Sequence, residues 1–377
     1  MSTFRFASFN CENLFSRARA LNLSDPTVGD KVLAYIDELD KLLRKTNYSP
    51  ADKTKMLKLF QGTDVDGKGN KLSHYIDIRE DQGKLWKRAR FAITGVSASG
   101  KDDWNGAIEH KRADANELAR ENTAKVMKAV KADVACVVEV ENRPMLQAFN
   151  RELLGTRKFA YSMVIDGNDT RGIDVGLLSN YPLHGIWTHI FDGTPQSRTF
   201  SRDCLEVELE LPNGKMLYVL CNHLKSRGYG DQDANDARRE RQAKALKEIL
   251  GKYDLSSDFV IVAGDLNDSP SRPPRVLRHL LEIPNLHDVL ELQFPGDESA
   301  RWTYHYNDFE QIDYILVSKP LKDQFVEAGV ERRGIHDLNT LTVNSGGQVA
   351  METEFPSVTS WTNAASDHGA VWAEFNL

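Results

Sequence analysis

The chain has 377 residues, 41% of them hydrophobic and 27% charged, a composition that supports a sizeable core and excludes a disordered or fibrous protein. One or two domains fit this length, since two-sheet sandwiches often reach it as a single unit. The net charge of −7 excludes binding of polyanions over a broadly basic surface, so strong anion binding has to be local.

No stretch approaches 18 continuous apolar residues, and Met1–Asn10 lacks the basic lead and apolar run of a leader peptide. A soluble, cytoplasmic protein is expected. Cys11, Cys136, Cys204 and Cys221 are widely spaced with no CxxC pair, which predicts reduced, buried thiols rather than a zinc site or a disulfide framework.

Along the chain, Phe4–Asn10 reads as a strand that ends in the polar cluster Asn10-Cys11-Glu12-Asn13. From about 16 to 112 the character changes. Leu33, Ile36, Leu39 and Leu43 recur at helical spacing, and Ser49-Pro50-Ala51-Asp52 has the form of a capping box with proline in the first turn. The segment is read as a helical insertion into a single domain spanning 1–377. Within it, Asp64-Val65-Asp66-Gly67 reads as a polar turn, because Tyr75 stands where a calcium loop needs its last carboxylate. Lys84–Arg90 is basic with one aromatic residue, a pattern open to phosphate contact and equally to a solvated helix face.

Asn116–Ala132 then predicts a helix with Leu118, Val126, Met127 and Val130 inward, feeding a buried strand over Asp133–Glu139. Further strands are predicted at Ala160–Ile165, Val175–Ser179, Leu205–Leu211, Met216–Asn222, Phe259–Gly264, Ile312–Ser318 and Val371–Phe375. Ala234–Leu250 reads as a helix with Leu246, Ile249 and Leu250 inward and Gly251 as its C-cap. The class is strand-rich α/β, with no internal repeat or linker.

Polar residues collect where apolar runs stop: Asn10, Glu139, Asn222-His223, Asp265 and Asn267, and Asp367-His368 just before the last strand. Each alone has a plain structural reading. Gly264–Asp268 is a good turn sequence, and a lone histidine more often has a structural partner than a catalytic role. In order, however, FNCENLF, VVEVEN, NHLKSRG, VAGDLND, QIDYILVS and SDHGAVWAEF resemble the motifs of the endonuclease/exonuclease/phosphatase family, of which deoxyribonuclease I is a member. The resemblance spans almost the whole chain apart from the insertion.

The resemblance implies a four-layer α/β (α+β) sandwich, two mixed β-sheets packed face to face with helices outside. It implies Glu139 as the principal metal ligand with Asn10 and Asp367 beside it. Their hard oxygen donors suit Mg²⁺ or Mn²⁺. Glu141, close by, competes with Glu139 on the residues alone. Asp265 and Asn267 would hold the attacking water, His223 and His368 would contact the phosphate, and Asp313 would orient His368. Asp174 is an open candidate as partner of His223, against a plain strand-start aspartate. Arg171, Asn222 and Lys225 are candidates for binding substrate, and Arg238, Arg239 and Arg241 for tracking a polyanionic backbone. The expected activity is metal-dependent phosphodiester hydrolysis on nucleic acid, DNA favoured, by an endonuclease. The alternative is a phosphatase or phosphodiesterase for a small phosphorylated molecule or lipid headgroup.

Overall fold

The structure, a computed structural model, describes residues 3–14, 26–111, 117–169, 171–227, 230–305, 309–338 and 352–377. The first and last residues expected for the insertion, 16–25 and 112, lie outside these, as do Asn116 and Gly228. The chain divides into two compact units: Met1–Phe15 with Glu117–Leu377, and Ser16–Asn116.

Twelve strands build the two main sheets of the larger unit: β1 (Thr3–Leu14), β2 (Val134–Val140), β3 (Tyr161–Val164), β4 (Asp174–Ser179), β5 (Leu183–Trp187), β6 (Cys204–Glu210), β7 (Met216–His223), β8 (Phe259–Asp265), β9 (Leu286–Asp288), β10 (Asp313–Ser318), β11 (Phe325–Glu331) and β12 (Ala370–Asn376). They form two six-stranded sheets, ordered β11-β12-β1-β2-β4-β3 and β9-β10-β8-β7-β6-β5. In both, the central pair is parallel, β1 with β2 and β7 with β8, and every other pairing is antiparallel.

Alternation along the strands dictates the layers. Phe4, Phe6, Val134, Cys136 and Val138 of the first sheet share one core with Leu217, Val219, Cys221, Ile261 and Ile315 of the second. The opposite faces are covered by helices. Ala7, Phe9, Ala135 and Val137 pack under α1 (Glu117–Val130) and α2 (Arg143–Leu153), and Leu220, Val260, Val262 and Leu316 under α3 (Gln232–Leu250). The result is the four-layer sandwich, two mixed sheets face to face with helices outside. In α1, Val126, Met127 and Val130 are buried as their spacing predicts, but Leu118 is exposed. It sits in the first turn, where the inward stripe has not begun. Asn142, in the VVEVEN motif, plays a structural part, since its side chain caps α2 by accepting the Met145 backbone N–H at 2.9 Å.

The second unit has its own core, including Val32, Leu39, Met56, Phe60 and Trp86. Helices span Pro26–Leu43, Pro50–Gln61 and Leu72–Tyr75, and the capping box at Ser49 and Asp52 is formed. The unit is not purely helical. Ile76–Gly83 pairs with Trp104–His110, and Trp86–Ala89 with Ala92–Val96. The basic run Lys84–Arg90 therefore lies in a hairpin rather than on a helix face. Its Trp86 is buried on Phe60, ring centroids 5.0 Å apart, while Lys87, Arg88 and Arg90 are exposed. Asp64 and Asp66 close a turn by accepting backbone N–H groups, and Tyr75 donates its hydroxyl to Asp66 at 2.6 Å.

Candidate active site

The parallel central pairs put the C-terminal ends of β1, β2, β7 and β8 on one rim of the sandwich. Antiparallel neighbours begin there: Asp174 starts β4 opposite Val140, Asp313 starts β10 opposite Asp265, and His368 lies two residues before β12. Period-two alternation then decides which side chains enter the gap between the sheets. His223 continues the inward series Leu217, Val219, Cys221, and Asp265 continues Phe259, Ile261, Ala263.

Two backbone devices sharpen this placement. Glu139 has φ of 63° and is the extra residue where β2 shifts register against β4 between Val138 and Val140. Such a bulge re-aims one side chain at a strand end, which simple alternation would have sent elsewhere. On β8, Gly264 has φ of 132°, and a Cβ there would lie 1.8 Å from the Asn222 carbonyl oxygen. Only glycine lets β8 approach β7 this closely beside Asp265.

Asn10 joins the two sheets. Its Nδ2 donates to Asp265 Oδ2 at 3.2 Å and lies 3.5 Å from His368 Nε2, while its Oδ1 accepts the Glu12 backbone N–H. Asp265 also accepts the Asn267 backbone N–H at 2.8 Å, and its Oδ2 is 3.5 Å from His223 Nε2. Burial first, and the Asp313 charge next, push the Asp265 carboxyl up to about 7. Asn267, in the left-handed region at φ 56°, donates to the Leu224 carbonyl just past His223.

The two histidines have opposite electrostatics. His368 Nδ1 is 2.8 Å from Asp313 Oδ2, which also accepts the Thr303 hydroxyl at 2.7 Å. Burial opposes charge on His368, but Asp313, Asp367 and Asp265 outweigh it and hold its pKa well above the usual value. His223 is driven well below the usual value by burial and then by the Arg202 and His368 charges, which favours its neutral form. The pairing expected of Asp313 with His368 is formed. That of Asp174 with His223 is not: Asp174 accepts the Gly167 backbone N–H at 2.8 Å, and His223 Nδ1 has no hydrogen-bond partner among the described residues.

Glu139, Asp367 and Glu12 form an acidic corner. Desolvation raises Glu139 and the Asp367 charge adds to it, although the His368 charge and an Asn10 hydrogen bond oppose this. Glu12 is pushed up to about 7 by desolvation and then by Asp367, even though much of its side chain is exposed. The Asp367 charge raises both Glu139 and Glu12, so this corner concentrates hard oxygen donors of the kind that suit a divalent cation. Among the described residues, the one group of acids and histidines whose ligand atoms all lie within 4.8 Å of one another is Asp265, Asp313 and His368. Asp313 is already committed to His368 and Thr303.

Of the substrate-binding candidates, Asn222 is buried and donates to the Leu220 carbonyl of its own strand, facing away from His223. Arg171 and Lys225 line a neighbouring cleft of about 200 Å³ with Arg202 and Arg238. Arg239, expected to face a polyanion, is instead fully buried and ion-paired with Asp236 and Asp268, tying α3 to the GDLND turn. Sequence reasoning missed Arg202, Glu12, Thr303 and Ser366. Ser366 donates to the Asn10 carbonyl at 2.8 Å and accepts the His368 N–H. Arg202 had a usable signal, since it lies just before a strand that starts at the rim, as Asp313 does.

Hard oxygen donors, two imidazoles and a buried carboxylate at one rim are groups that metal-assisted chemistry on an anionic substrate can use. Residues 103–368 match the family model described as "Endonuclease/Exonuclease/phosphatase family", and the chain belongs to that family. It is a divalent-metal-dependent phosphoric ester hydrolase. No curated protein sequence matches it.

Solved structures similar to it include D. rerio TDP2 complexed with single-strand DNA product (16% identity, TM-score 0.49, covering 70% of this chain and 94% of that one). Others are an AP endonuclease from Archaeoglobus fulgidus (18%, 0.48, 69% and 95%) and the human Nocturnin catalytic domain with bound sulfate anion (18%, 0.47, 69% and 86%). At such scores the likeness carries no detail of site or substrate.

Proposed function

We propose that the protein hydrolyses phosphodiester bonds in nucleic acid, DNA by preference, as an endonuclease using Mg²⁺ or Mn²⁺. The observation that carries this reading is the pair of oppositely tuned histidines flanking Asp265 at one rim, beside the acidic corner of Glu139. Asp265, with a carboxyl near neutrality, accepts the proton of the attacking water, and Asn267 and Asn10 hold that carboxylate in place. His368, kept charged by Asp313, offers an N–H to the oxygens that gain negative charge, and neutral His223 offers a second hydrogen bond without adding charge. Glu139, Asp367 and Asn10 would hold the divalent ion, which when bound supplies positive charge against the phosphate oxygens.

The cytoplasm is the proposed location, supported by four buried, free cysteines. No helix among the described residues is long and apolar enough to cross a membrane.

The test incubates wild type and Asp265→Asn with supercoiled plasmid, linear duplex, single-stranded DNA and RNA, in Mg²⁺, Mn²⁺ or EDTA. The reading predicts metal-dependent nicking of plasmid by wild type alone. The net charge of −7 favours a small phosphorylated substrate as the second reading. Release of phosphate from a monoester panel with all polymers left intact would establish it instead.

A further inference from the structure

Beside the catalytic rim lies a second concavity that the chemistry above does not use. It measures about 200 Å³ and is lined by four cations, Arg171, Arg202, Lys225 and Arg238, against one acid, Asp169. That acid is shared. Arg171 Nη2 is 2.7 Å from Asp169 Oδ2, and Arg202 Nε is 3.2 Å from the same oxygen, so one negative charge serves two guanidiniums. Arg202 is 3% exposed, and its Nε makes no hydrogen bond among the described residues; the Nε of Arg238 makes none either. Burying the Arg202 guanidinium against a carboxylate that it shares with Arg171 costs stability, and an anion in the cleft would offset that cost. Burial and the surrounding arginines hold the Lys225 ammonium below its ordinary range, as expected of a cation among cations.

The cleft shares a wall with the active site. Arg202 Nη1 and Asn267 Nδ2 both donate to the Leu224 carbonyl, one residue beyond His223, and the Arg202 charge is felt by Glu139 and Asp265. Its own lining holds no imidazole, and its one carboxylate is neutralised by two arginines, so it binds without cleaving. It is also smaller than the roughly 300–1,000 Å³ of pockets that enclose a whole small molecule. It takes a group, not a ligand.

We infer that this cleft is a subsite for a second, non-reacting phosphate of the substrate, adjacent to the phosphate that is cleaved. This rests on the phosphodiester reading above and extends it, since the substrate then carries at least two phosphates. The group is either a terminal phosphomonoester or the next diester of the backbone. A lining of four cations and one acid among the described residues suits the dianionic monoester better.

The experiment compares wild type with Arg238→Gln on four substrates: bis(p-nitrophenyl) phosphate, a thymidine dinucleotide, the same dinucleotide with a 5′- or 3′-terminal phosphate, and a trinucleotide. Arg238→Gln should lower kcat/KM on substrates with a flanking phosphate by about ten- to a hundredfold, mainly through KM, and change bis(p-nitrophenyl) phosphate far less. Preference for the terminally phosphorylated dinucleotide assigns the monoester, and equal preference for the trinucleotide assigns the backbone. An unchanged ratio between flanked and unflanked substrates overturns the subsite. A second arm needs no turnover: calorimetric titration of inorganic phosphate in EDTA should give binding at least tenfold weaker in Arg238→Gln. Equal binding, or none in wild type, overturns the inference. Tight binding by a wild type that cleaves no diester would leave the subsite standing and defeat the proposed activity.

Discussion

The two sheets repeat one pairing pattern, with a parallel pair at the centre and antiparallel strands on both sides, yet their rims carry different chemistry. The first sheet ends in oxygen donors, Asn10 and Glu139. The second ends in titratable groups, His223 and Asp265, for which proton transfer is proposed. Topology thus fixes where side chains converge, and the residue at each strand end fixes what they do. Each rim also relies on unusual backbone, a bulge at Glu139 in the first sheet and the close approach of Gly264 to Asn222 in the second.

If this division of labour is right, the largest effects come from the second sheet. Asp265→Asn or His223→Ala should each lower cleavage by roughly 10²–10⁴-fold. Circular dichroism and thermal melting should remain close to wild type, and full activity in either folded variant would refute the assignment. Asp313→Asn removes only the group that orients and charges His368. A smaller loss, about 10–100-fold, is expected, measured as kcat at saturating metal.

The backbone devices sharpen the comparison through stability. Gly264→Ala should destabilise by roughly 2–4 kcal/mol, because its Cβ meets the Asn222 carbonyl and the left-handed φ is strained for alanine. Denaturant unfolding checks this.

The smallest effect lies away from the rim, at His189 in the second sheet's loop. It sits 2.9 Å from Asp192 and 3.0 Å from Glu206, and although burial opposes its charge these carboxylates raise its pKa. A histidine with a raised folded pKa contributes stability that is complete below about 6.5 and lost as pH rises through the folded value. Melting curves of wild type should therefore fall towards those of His189→Gln between pH 6 and pH 9, with cleavage little altered. A gap that widens with pH would refute that assignment.

The central strands were legible in the sequence because both faces are buried and their apolar runs are nearly continuous, as in Val134–Val138 and Phe259–Ala263. The edge strands β5, β9 and β11 were not. They are half-exposed, and Leu183–Trp187 and Phe325–Glu331 show no clean alternation. The rim residues could be named because ordered motifs surround them. Their partners were harder. Nothing local to Thr303 or Ser366 signals that they meet Asp313 and Asn10 across the fold, and nothing on α3 distinguishes Arg239, buried on Asp268, from Arg238, which lines the basic cleft. Long-range ion pairs of this kind are set by packing, which spacing along one helix does not encode.

The most direct measurement is a calorimetric titration of Mn²⁺ into Glu139→Gln and Asp265→Asn. The predicted result is near-normal metal binding by Asp265→Asn despite lost cleavage, and loss of both in Glu139→Gln. Normal binding by Glu139→Gln together with lost binding in Asp265→Asn would contradict the division of labour between the two sheets.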